Sequence, residues 1–87
     1  MISSDEELIK NHIREDTAFL GAAEARIAKY GVPVWALIGY LKVVGGDVER
    51  VANDYAVPVD VVRAAKAFYD RNRDAIDARL IENAPAP

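Results

Sequence analysis

The sequence predicts a mostly α-helical protein. Its core would be a tri-helical, homeodomain-like helix-turn-helix, flanked by an N-terminal and a C-terminal helix, with one segment open to short strands. Three observations lead there. Apolar residues recur at helical spacing over Val34-Leu37-Ile38-Leu41, Val48-Val51-Ala52-Tyr55 and Val61-Val62-Ala65-Phe68-Tyr69. Pro33, Gly45-Gly46 and Pro58 punctuate these runs, and such residues start and stop helices. The stretch VANDYAVPVDVVRAA (51–65) joins two of the runs through Tyr55-Ala56-Val57-Pro58, a joint short enough for two crossing helices.

Each element has a local reason. Ser4-Asp5-Glu6-Glu7 has the form of a capping box with Ser4 as N-cap. Leu8, Ile9, His12 and Ile13 then share one face, so a first helix is expected to about Arg14 or Glu15. Residues 22–34 remain open. AAEARIAKY holds strong helix formers with Gly31 at a C-cap position, yet Ala25–Ala28 and Val32–Val34 read equally well as two extended pieces. Pro33 opens a helix over 34–43, and Asp47 caps one over 48–55. Pro58 opens a third over 58–71, whose apolar stripe continues to Ile76 and Leu80 with Asn72 lying on it. Unbroken to residue 83, that helix would be roughly 39 Å long, against an expected radius of gyration of about 12 Å. A break at Asn72 is the expected resolution. The organisation is then a single domain: 1–31 N-terminal helix and connection, 32–71 helix-turn-helix, 72–83 C-terminal helix, and a frayed, proline-rich tail over 84–87.

Eighty-seven residues suit one small domain, near the lower limit for comfortable stability alone. An apolar fraction of 52% argues against disorder. Without cysteine there are no disulfides or thiolate metal ligands, and with no signal-like apolar run the expected setting is the cytoplasm. Net charge is −3, which offers nucleic acid no general attraction. Only residues 61–87 are net positive, with five basic against four acidic side chains.

In a helix-turn-helix the start of the second helix reaches base edges. Those positions here are Val59 and Asp60, then Arg63, Ala64, Lys66 and Ala67. Arg63 suits guanine and Lys66 a phosphate, whereas Asp60 repels the DNA backbone while favouring the helix N-terminus. No Asn, Gln, Ser or Thr joins them, so a plain solvated face is an equally natural reading. Tyr30, Trp35 and Tyr40 are candidates for a dimer or partner surface, together with Ile76 and Leu80, although aromatics at such positions are more often core. Catalysis has little to work with. His12 is the only histidine, Glu6/Glu7 and Glu15/Asp16 sit where solvation explains them, Ser3 and Ser4 cap a helix, and Gly45-Gly46 lacks the lysine of a phosphate loop. No enzyme activity, metal or cofactor is expected.

The ordered set Val32-Pro33-Val34-Trp35, Asp54-Tyr55, Val61-Val62-Arg63-Ala64-Ala65, Phe68-Tyr69 and Ile76-Asp77-Ala78-Arg79-Leu80 resembles a bacterial family. It is catalogued as domain of unknown function number 433 and regarded as VapB-like antitoxins. The likeness covers about residues 21–81, and GAAEARIA resembles the family's Gly-x-x-x-x-Arg-Ile segment. This chain has Lys29-Tyr30-Gly31 where the family pattern has Gly-Thr-Arg, so a role tied to that arginine does not carry over. The resemblance implies a homodimer that neutralises a PIN-like ribonuclease toxin and represses its own operon by binding operator DNA. It also implies a partner segment at 70–83, a projecting amphipathic helix that docks in a groove.

Overall fold

A computed structural model describes residues 4–14 and 21–83. In chain order these form α1 (Ser4–His12), β1 (Ile13–Arg14), a 3-10 turn (Ala22–Glu24), β2 (Arg26–Ile27), α2 (Val34–Val43), α3 (Val48–Tyr55), α4 (Val59–Arg71) and α5 (Arg73–Glu82). The chain is mostly helical, with a radius of gyration of 12.3 Å. The expected tail at 84–87, Ser3 and the Glu15/Asp16 pair lie outside the described residues.

The first helix is shorter than its periodicity predicts. It stops at His12 because Ile13 and Arg14 turn into β1, which pairs antiparallel with β2 through Ile13↔Ile27 and Arg14↔Arg26. Both isoleucines are β-branched and both are buried, so a two-residue ladder seals one end of the core. The open segment resolves as a 3-10 turn over Ala22–Glu24 followed by extended pairing at Arg26–Ile27 and Pro33. Ile27 N–H donates to Val32 C=O (2.7 Å), and Val34 N–H to Ala25 C=O (3.0 Å). Arg26 pairs with Pro33 in an isolated bridge, and its side chain reaches the Gly31 carbonyl at 2.8 Å. The loop between them turns through Lys29 (φ 73°) and Gly31 (φ 71°). Helix propensity in AAEARIAKY is outweighed by strand pairing with a segment more than ten residues away.

α2, α3 and α4 follow their punctuation. Pro33 and Pro58 serve as N-caps, one residue outside the helices, rather than as first helical residues. Asp47 caps α3 by accepting the Arg50 N–H at 3.0 Å. α3 ends at Ala56 in the left-handed region (φ 55°), and Val57 N–H returns to Ala52 C=O at 3.0 Å. That turn brings α4 against α3, and Val57, Val62 and Ala65 are all buried.

Asn72 leaves helical geometry (φ −137°), and its side chain caps Phe68 C=O at 3.0 Å. α5 then folds back against α2 and the 3-10 turn instead of projecting. Ile76 anchors it with 0% exposure. Burying such a side chain stabilises by about 1.5–3 kcal/mol, enough to hold a ten-residue helix that propensity alone would not. The expectation of a projecting helix at 70–83 is therefore corrected: Ile76 is buried inside this chain and Leu80 half-buried against its core, while Ile81 stays exposed.

Candidate functional site

The solvent side of α4 is the first place to look. Asp60, Arg63, Lys66 and Asp70 stand in a row along it, all exposed. Pro58 sets the entry of the helix, and Asp60 in the first turn complements the positive end of its dipole. The row is internally paired. Arg63 reaches Asp60 at 3.9 Å, Lys66 reaches Asp70 at 3.7 Å, and Arg73 approaches Asp70 from α5 at 3.3 Å. Exposed pairs of this kind are worth about 0–1 kcal/mol, so they orient the cations without locking them.

Two positions expected on this face are not there. Ala64 and Ala67 are buried, since α1 lies along α4 on that side. Their small side chains permit this close approach. α1 brings Asp5 and Leu8 to a shallow groove shared with Arg63, Lys66, Ala67 and Asp70. Val59 is half-buried against the core. The outward equipment reduces to Arg63 and Lys66, ringed by three aspartates.

Trp35 and Tyr40 are engaged by other elements of the same chain, and Tyr30 by its neighbour Lys29. Tyr30 sits on the 28–31 loop, 38% exposed, with the Lys29 ammonium 5.6 Å from its ring centre. Trp35 is half-buried beneath the Arg79 guanidinium (5.6 Å), which also binds Glu24. Tyr40 donates its hydroxyl to Asp54 and tilts against Tyr55, ring centres 5.7 Å apart. Asp54 holds the Tyr40 hydroxyl above its ordinary pKa, and that hydroxyl, with Arg50, holds Asp54 below its own. Ile76 is core and cannot meet a partner, and Leu80 is half-buried against the core beside α2.

A cluster not foreseen from the sequence joins α2, α4 and α5. Asp77 accepts from the Tyr69 hydroxyl at 2.8 Å and from Lys42 at 3.1 Å. Lys42 and Arg73 stand 5.0 and 5.2 Å from the centre of the Tyr69 ring. The Tyr69 hydroxyl, then Lys42, keeps the Asp77 carboxyl below its usual range, and Tyr69 and Asp77 together raise Lys42. Beside this cluster a groove of about 460 Å³ runs between α2 and α5, lined by Gly39, Lys42, Asp77, Leu80 and Ile81. The one available signal was composition: α2, VWALIGYLKV, holds a single charged residue and so has no polar face.

Among the described residues no group of three or more His, Cys, Asp and Glu side chains could hold a metal ion, and no helix is long and apolar enough to cross a membrane.

Neither a protein-family model, nor a curated protein, nor a solved structure matches the chain.

Proposed function

We propose that this chain is an antitoxin-type transcriptional regulator. In this reading α3 and α4 form a helix-turn-helix, α2 completes a tri-helical unit, and a homodimer brings two α4 helices to operator DNA. A PIN-like ribonuclease is the partner that the family resemblance implies. The observation that carries the reading is the α3–Ala56–α4 joint with Arg63 and Lys66 on the solvent side of α4. Their ion pairs are weak enough to exchange for guanine or phosphate. With Lys66 on a phosphate in each protomer, a dimer would neutralise about two phosphates, giving a shallow salt dependence of slope about −2.

Gel shifts on the DNA upstream of its own gene, at several salt concentrations, test this. Arg63→Ala is expected to weaken the complex and relax its base preference, and Lys66→Ala to weaken it and flatten its salt slope. Absence of any shift by the unmodified protein at low salt, with or without the toxin, would sink the proposal.

A second reading is favoured by one observation: Asp5, Asp60 and Asp70 lie around the two cations. A helical module that holds a protein partner, and never touches DNA, tolerates that ring better. A partner shown to cover residues 59–67 in a bound complex would decide for it.

A further inference from the structure

A second groove, of about 330 Å³, lies where the end of α2 and the Gly45-Gly46 turn meet α4 and the start of α5. Its apolar floor is made by Ile38, Leu41 and the Tyr69 ring, residues that are otherwise buried. Three cations stand on its walls, Lys42 from α2, Lys66 from α4 and Arg73 from α5. The turn leaves the mouth uncovered. Gly45 (φ 67°) and Gly46 (φ 86°) are glycine because of their backbone, and a Cβ on either would meet no atom within 4 Å.

The wall charges do not balance. Asp70 serves both Lys66 (3.7 Å) and Arg73 (3.3 Å), and Asp77 serves Lys42 at 3.1 Å. Three cations thus share two carboxylates, and one positive charge is left over. Lys66 and Arg73 already converge on a single acid group, and both are more than half exposed, so a second acid group can draw them at little cost.

We propose that this groove binds a small organic monoanion, a carboxylate carried on a flat apolar body. The body lies on Ile38, Leu41 and Tyr69, and the carboxylate takes the planar fork of Arg73 with Lys66 beside it. Small-ligand sites span roughly 300–1,000 Å³ and are mainly apolar with a few placed polar groups, which is how this groove is composed. One surplus charge suits a carboxylate better than a phosphate monoester, which carries nearly two negative charges at neutral pH. The apolar floor, in turn, favours an anion with a body over a bare inorganic ion. None of this depends on DNA binding.

Amide NMR titration of the full chain reads both the place and the strength of binding. The probe is naphthoate, with naphthylmethanol as its neutral counterpart and inorganic phosphate as an anion without a body. Naphthoate should shift the Gly45, Gly46 and Arg73 amides, and the alcohol and phosphate should each bind at least about tenfold more weakly. Lys66→Gln and Arg73→Gln should each weaken naphthoate about threefold to fivefold, as loss of an exposed charge contact does. Lys10→Gln, at an exposed position of α1 outside the groove, should leave it unchanged. Asp70→Asn should tighten naphthoate about threefold by raising the surplus charge, a gain that partial unfolding cannot imitate. Shifts that miss Gly45 and Gly46, equal binding of the alcohol, unchanged binding by both glutamine variants, or weaker binding by Asp70→Asn would each overturn the inference.

Discussion

The outer row of α4 and the back of α2 both face water, yet they are composed in opposite ways. On α4, Asp60, Arg63, Lys66 and Asp70 neutralise one another within a helix turn. On α2, Gly39 and Val43 offer nothing for water to bond, and the neighbouring Ile81 extends the apolar area. A charged row satisfied by its own members and by solvent needs no partner to be stable. An apolar back does gain from one, at about 25 cal/mol for each Å² covered. The difference teaches that the two surfaces call for different evidence. For α4 the issue is whether a ligand outcompetes weak internal pairs, and for α2 it is which surface removes it from water.

The largest effect is expected where the apolar surface is supported from below. Ile76→Ala removes the fully buried anchor of α5 and should cost about 2–5 kcal/mol in urea unfolding. The α4 row, on a different helix, should stay as it was. An unchanged urea midpoint would show that Ile76 is not what anchors α5.

A smaller effect is expected from acid. The Asp77 carboxyl is held below its ordinary pKa in the folded chain by the Tyr69 hydroxyl and then by Lys42. Its contribution to stability is therefore complete above the unfolded value, about 3.9 for an aspartate. That contribution is lost as pH falls through the lowered folded value. Asp54, lowered by Tyr40, acts in the same direction. Urea midpoints measured from neutral pH downward should drop below about pH 4, and Asp77→Asn should flatten part of that drop. An unchanged acid limb in the variant would remove Asp77 from the account.

The smallest effect belongs to the α4 row. Asp60→Asn and Asp70→Asn, made singly, should change stability by less than about 0.5 kcal/mol, as exposed substitutions usually do. Under the regulator reading each should nevertheless tighten DNA binding, because a repulsive charge leaves the face of the complex. Weaker binding would show that these aspartates position the cations instead of opposing the backbone.

Much of the helical framework was legible because its signals are local. Pro33, Gly45-Gly46, Asp47 and Pro58 bound α2, α3 and α4 wherever the rest of the chain goes. Asn72 on an apolar stripe announced the break between α4 and α5 in the same way. What sequence could not supply were pairings between distant segments. Ile13 with Ile27 shortens α1 and makes residues 26–27 a strand. Glu24 with Arg79, and Lys42 with Asp77, turn α5 inward. α1 along α4 buries Ala64 and Ala67, which seemed free to reach DNA. Of the candidate row Arg63 and Lys66 are exposed, whereas the exposure of Val43 and Ile81 was not legible, because periodicity marks apolar residues as core without telling which remain outside.

The inward turn at Asn72 has a consequence for synthesis. A ribosome releases the helices from α1 onward, yet Ile76, which completes the core, and Arg79, which ties down Glu24, come only with α5. Until then the α2 surface that α5 will cover, at Gly39 and Lys42, stays open to solvent. The nascent protein therefore passes through a stage more adhesive than the finished one, and a helix placed late in the chain closes it.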